Sequence, residues 1–234
     1  MKSAQAHELG RRIAALVETG QTEKAYILLA PALAERTPFD MLRRVGRATG
    51  AGPLEPANAF LERIAAGKTE GGWVVIASML EGQLGRDLAG ALARGRQFII
   101  AADIWYAADT LGEGVVGAAL VTHFEPVLEL LKPWREDSNP WVRRVIGVGV
   151  HLWAKRARGQ ASHAAQARTL MGLLEPLFEE RDVSVVKGVG WGLKTLGRYY
   201  PDLAAEWLAE QQRQRHPCAL MLRKARTYLP KENA

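Results

Sequence analysis

Cysteine is almost missing from this chain of 234 residues, where Cys218 stands alone. No internal disulfide and no Cys-rich zinc site can form, and a reducing compartment suits such a sequence. Aromatic residues make up only 7% of it. Apolar runs stay short of the roughly 18–20 residues a membrane helix needs, and the stretch from Phe98 to Ala108 is broken by Asp103. The opening MKSAQAHELGRR holds no apolar segment fit for the core of a signal peptide, so the expectation is a cytoplasmic protein. The five histidines, at 7, 123, 151, 163 and 216, have no metal-ligand spacing. Neither a G-x-x-x-x-G-K-[ST] phosphate loop nor a G-x-S-x-G nucleophile elbow occurs. Gly188-x-Gly190-x-Gly192 lacks the spacing and the preceding strand of a dinucleotide fingerprint. These absences set aside disulfide scaffolds, zinc modules and nucleotide-loop enzymes.

Helical periodicity is what fills the chain. Apolar residues recur at intervals of three and four in Leu9–Ile13–Leu16–Val17 and again in Val127–Leu128–Leu131, whereas strand alternation is scarce. Short breaks carry turn chemistry, as at Thr19–Gly20, Thr37–Pro38, Gly50 to Pro56, Lys132–Pro133, Ser138–Asn139–Pro140 and Tyr200–Pro201. The pattern predicts roughly a dozen helices joined by short loops, and with no long linker in sight, one all-α domain over 1–234. Hydrophobic residues at 48% suit a globular core, and 31 Lys+Arg against 25 Asp+Glu leave a net charge of +6. That modest excess favours a polyanionic partner. Val142-x-Arg144-x-x-Gly147-x-Gly149 is echoed 43 residues later by Val185-x-Lys187-x-x-Gly190-x-Gly192. The period falls within the range of helix-pair repeats, whose stacks bend into concave binding surfaces. Arg144 and Lys187 then become candidates for neighbouring rungs.

Three segments set polar or aromatic groups among apolar ones. In Asp103 to Gly112, Trp105 and Asp109 are four apart and share a helical face. An indole beside a carboxylate offers two kinds of negative potential to a cation, although a core tryptophan near a helix-end aspartate has the same spacing. In Asp137 to Val145, Ser138 or Asn139 caps a helix that Pro140 opens. Arg143 and Arg144 point about 100° apart, so one is expected to face inward or meet a buried acid and the other to face solvent. A guanidinium there suits either a phosphate or a structural salt bridge. In Asp182 to Tyr200, Lys187-Gly188-Val189-Gly190-Trp191-Gly192 places three glycines inside a helix, at roughly 1 kcal/mol each relative to alanine. Close helix packing or backbone access for a ligand must offset them. The basic run Arg213, Arg215, Arg223, Lys224 and Arg226 reads as a solvated face, or else as phosphate contacts.

Taken in order, Trp105-x-x-x-Asp109, then Asp137-Ser138-Asn139-Pro140-Trp141-Val142-Arg143-Arg144, then Lys187-Gly188-Val189-Gly190-Trp191-x-Leu193 resemble the HEAT-like-repeat DNA alkylation-repair glycosylases, the AlkD family. Ala25–Tyr26 and the C-terminal Leu222-Arg223-Lys224-Ala225 match more loosely. The stretch Gly71 to Arg96 departs from the family, and Arg158 to Ala164 looks like an insertion between helices. The resemblance implies a curved all-α solenoid whose basic concave face holds double-stranded DNA. It also implies hydrolysis of the N-glycosidic bond of N3- or N7-alkylated purines without pulling the base from the stack. By motif position, Asp109 is the catalytic carboxylate, Trp105 and Trp191 are the sugar-contacting indoles, and Arg144 is the phosphate-side arginine. Arg143 and Lys187 are added as DNA contacts, and Tyr26 as the N-terminal aromatic contact.

Such a purine is already cationic and leaves as a neutral base, so the protein need only steady the electron-poor sugar; a carboxylate and π faces suit that task without metal or cofactor. A monomer is expected. Two other readings stay open: a non-catalytic relative binding duplex or branched DNA, and a helical-repeat scaffold for protein partners.

Overall fold

The computed structural model describes residues 1–229, which are helical throughout, with no strand among them. They contain fourteen α-helical segments linked by short turns, somewhat more than the periodicity predicts because the segment after Trp105 is divided. The chain falls into two compact units, Met1–Val115 and Val116–Ala234.

The first unit runs through α1 (Ser3–Glu18), α2 (Thr22–Ala34), α3 (Phe39–Gly50), α4 (Leu54–Ala65), α5 (Glu70–Gln83), α6 (Leu88–Ala102) and α7 (Trp105–Leu111). Helices α1, α3, α5 and α7 pack side by side in one layer, and α2, α4 and α6 cover it. Helix α5 is the centre. Its residues Gly72 to Leu80 are all buried, as a helix apolar on every side should be. Trp73 belongs to this core rather than to any site.

The second unit repeats the plan with α8 (Ala118–Thr122), α9 (Phe124–Leu131), α10 (Pro140–Ala157), α11 (Ala164–Leu174), α12 (Val183–Tyr199), α13 (Pro201–Gln214) and α14 (Ala219–Ala225). Here α8, α10, α12 and α14 form the continuous layer, and α9, α11 and α13 lie over it. Helices α10 and α12 start where side chains satisfy otherwise orphaned amides. The Asn139 side-chain carbonyl oxygen accepts from Trp141 N at 2.9 Å, with Pro140 in the first turn. Asp182 Oδ1 accepts from the amides of Ser184 and Val185 at 2.8 and 3.1 Å.

Glycine explains how closely this layer packs. A Cβ on Gly147 would overlap the backbone of Gly188 and Val189, and one on Gly192 would lie 2.7 Å from Gly147 O. The 43-residue echo acquires a spatial meaning from the same approaches. Gly147 faces the next helix of the layer and Gly149 the previous one, at Val116 and Gly117; likewise Gly190 faces Lys224 on α14 and Gly192 faces α10. Close packing is therefore what offsets the helical glycines. No helix among the described residues is long and apolar enough to cross a membrane.

Candidate functional site

Helix α7 begins abruptly. Asp103 closes α6 in the left-handed conformation (φ 48°), Ile104 is extended, and Trp105 is the first residue of the new helix. A large apolar side chain in that position has few neighbours to cover it, and Trp105 is 59% exposed. Its ring meets Tyr106 edge-on, with centroids 5.8 Å apart. One turn on, Asp109 is half-buried. The α-helix then widens into a π-helix over Gly112–Gly117, a local irregularity that often accompanies functional sites. Trp105 and Asp109 thus share a face of one short helix, with the indole in solvent and the carboxylate partly withdrawn from it.

Tyr26 lies on α2, in the covering layer of the same unit. The Arg63 guanidinium sits 3.6 Å over its ring and pairs with Glu23 at 2.5 Å. Its ring is held by α4, and it belongs to a different layer from Trp105 and Asp109.

In the second unit the paired arginines depart from expectation. Arg143 meets an acid, Glu180, at 2.6 Å, and also donates to the Asp137 carbonyl at 2.6 Å. Arg144 does not face solvent: it is 7% exposed and donates from Nη1 to the Ser184 carbonyl at 2.8 Å. The cause is the glycine seam, because Gly188 lets the side chain of Arg144 lie against the α12 backbone. Lys187, by contrast, is exposed.

The C-terminal basic run divides in two. Arg213 pairs with Glu210, Arg215 with Glu175 at 2.8 Å, and Arg226 donates to Gln212 at 3.1 Å. Lys224 instead lies against Gly190. Its pKa is held down by burial and then by the positive charges of Lys194, Arg144, Lys187 and Arg223. Like charges gathered in this way suit a polyanion, and Lys194 is a member of the cluster that none of the sequence motifs includes.

Trp191 is half-buried and stacks on His151 of α10, with centroids 3.9 Å apart and planes 26° from parallel. His151 Nδ1 lies 2.7 Å from Thr195 Oγ1, and that hydroxyl donates to the Trp191 carbonyl at 2.9 Å. Burial, helped by the nearby charge of Lys155, lowers the His151 pKa to about 4. Metal-ligand spacing gives no hint of this histidine. The signal that could have found it is the i, i+7 relation to Arg144, which puts two polar groups on one stripe of an apolar helix.

The titration has a consequence for stability. His151 has a folded pKa below the ordinary value of 6.5, so between the two values the unfolded chain binds more protons. The stability contributed by the neutral ring is complete above pH 6.5 and is lost as pH falls toward about 4. The melting temperature of the native protein should therefore fall more steeply across that window than that of His151→Phe. Parallel curves would remove His151 from the acid limb.

Among the described residues, no group of three or more His, Cys, Asp or Glu side chains could hold a metal ion. The family model described as DNA alkylation repair enzyme matches residues 65–229. No curated protein and no solved structure matches the chain.

Proposed function

Because the chain belongs to the DNA alkylation repair enzyme family, we propose that it is a DNA glycosylase acting on N3- or N7-alkylated purines in duplex DNA. The observation that carries this reading is the face of α7, where an open indole stands one turn from a half-buried carboxylate. That pair offers negative potential to a positive centre, and the partial burial of the carboxylate limits its screening.

In the proposed reaction the bond from the sugar C1′ to the purine nitrogen breaks, and its electron pair stays with the base. The alkylated purine loses its positive charge and departs neutral, so no general acid is required. Positive charge builds on the sugar, facing Asp109 and the indole of Trp105; Trp191 takes the same task by its motif. Water then adds to C1′ and its proton passes to Asp109 or to solvent, which completes base excision and leaves an abasic site. Arg144, Lys187, Lys194 and Lys224 supply the positive field for phosphates. Arg143, held by Glu180 and Asp137, orders the turn into α10. Tyr26, on α2 of the first unit, is kept as the aromatic DNA contact that the motif match implies.

The deciding experiment incubates the protein with duplexes carrying a single N7-methylguanine, N3-methyladenine or bulkier purine adduct and measures release of the free base. Release by the native protein and its loss in Asp109→Asn is the expected result. No release from any adduct, together with binding to unmodified or junction DNA, would leave the non-catalytic reading, for which the cluster around Lys224 suffices.

Lys187→Ala is expected to weaken binding to all duplexes alike. It should also reduce the slope of log affinity against log salt by about 1, as for the loss of one phosphate contact. An unchanged slope takes Lys187 off the DNA. Arg144→Ala should lower the slope as well, but with a fall in melting temperature, since its side chain is buried against α12.

A further inference from the structure

Trp191 occupies an awkward place for a binding platform. Trp191 lies between Gly190 and Gly192, and of the positions one turn away on its own face Gly188 supplies no side chain to restrain the indole. Glycine there is required by the close approach of α10 and α14, and the ring must be held by something else. Among the described residues, the ring stacked on it is that of His151 on the neighbouring helix.

We infer that His151 is a positioning residue, which fixes the plane of the Trp191 indole and leaves its uncovered part for a cationic substrate. The inference rests on the glycosylase reading for its catalytic meaning, although not for its geometry. Thr195 links the two residues. Its one hydroxyl proton goes to the Trp191 carbonyl at 2.9 Å, so toward His151 Nδ1, 2.7 Å away, the oxygen acts as acceptor. Nδ1 therefore carries a proton, which sets the tautomer and the orientation of the ring. The stack and the hydrogen-bond chain meet on the same tryptophan, one holding its ring and the other its backbone.

Neutrality matters as much as position. An imidazolium stacked on the indole would occupy the quadrupole that a cationic sugar needs, and would add repulsion beside it. A neutral imidazole fills the same space without doing either. Burial of the ring, which is 7% exposed, and its acidic shift both keep it uncharged near neutral pH.

The test uses the full chain labelled with 5-fluorotryptophan, with the Trp191 fluorine resonance assigned by its loss in Trp191→Phe. His151→Ala should shift and broaden that resonance, while His151→Phe, which keeps a stacked ring, should leave it narrow. In base release from an N7-methylguanine duplex, His151→Ala should lower kcat by about 10- to 100-fold, the scale of a slightly misplaced reacting group, with KM little changed. His151→Phe should recover most of the loss. In a Trp191→Ala background, His151→Ala should cost nothing further. A Trp191 resonance indifferent to His151→Ala overturns the inference, and so does an equal additional loss of kcat in the Trp191→Ala background. If the native protein releases no base, the glycosylase reading fails on its own, and the fluorine spectra still decide whether His151 sets the indole.

Discussion

Replacing Asp109 by Asn should cut the rate of base release by on the order of 10²- to 10³-fold while DNA affinity stays within a few-fold of native. Asparagine nearly preserves the shape of the side chain, removes its charge and turns one acceptor oxygen into an NH2 donor. In the proposed reaction the charge is what counts, because positive charge develops on the sugar only as the bond stretches, and interactions stronger in that state than in the bound substrate appear in kcat. Coulomb's law supports the magnitude: at about 4 Å and an effective dielectric of about 20, two unit charges interact by about 4 kcal/mol. Partial burial of Asp109 places it between water and dry interior. Trp105, being 59% exposed, sits in stronger solvent screening, so Trp105→Ala should cost less than Asp109→Asn. Single-turnover kinetics on an N7-methylguanine duplex, with affinity measured separately on unmodified duplex, checks both statements. A fall in affinity that accounts for all the lost rate would make Asp109 a binding group, and the charge-stabilisation account would be wrong.

Gly147→Ala should destabilise the fold although alanine is the better helix former. On an open helix the exchange gains up to about 1 kcal/mol. At Gly147 the added methyl overlaps the backbone of Gly188 and Val189, and backbone cannot move aside as a flexible side chain would. Overpacking of this kind costs about 1–3 kcal/mol, which for a chain of this size is roughly 2–4 °C of melting temperature per kcal/mol. Gly172→Ala is the matched control. Gly172 lies on the exposed side of α11 with nothing within 4 Å of a Cβ, so the same substitution there should raise the melting temperature. Thermal unfolding followed by circular dichroism compares the two directly. If Gly147→Ala melts at or above the native protein, the approach of α10 to α12 is not what calls for glycine. The closeness of the seam also brings His151 within stacking distance of Trp191 and presses Arg144 against α12.

Local chemistry was legible in the sequence. Helical spacing, the cap ahead of Pro140 and the shared face of Trp105 and Asp109 all depend on residues within a few positions of one another. Periodicity and capping act over that range. The 43-residue echo was visible too, and it made Arg144 and Lys187 candidates for neighbouring rungs; that its glycines pack both helices into one layer came from the structure. Burial and partnership across helices were not visible, because they depend on which surfaces meet and how closely. Arg144 is a surface-type residue by composition, yet the absence of a Cβ on Gly188, 44 positions away, turns it into a buried one. His151 carries no motif of its own, and only the approach of α12 gives it an indole to hold and a hydroxyl to fix its tautomer. Sequence by itself thus determined which helices form and which groups could do chemistry. Tertiary structure alone decided which of those groups are withdrawn from water, since withdrawal is the work of neighbours remote along the chain.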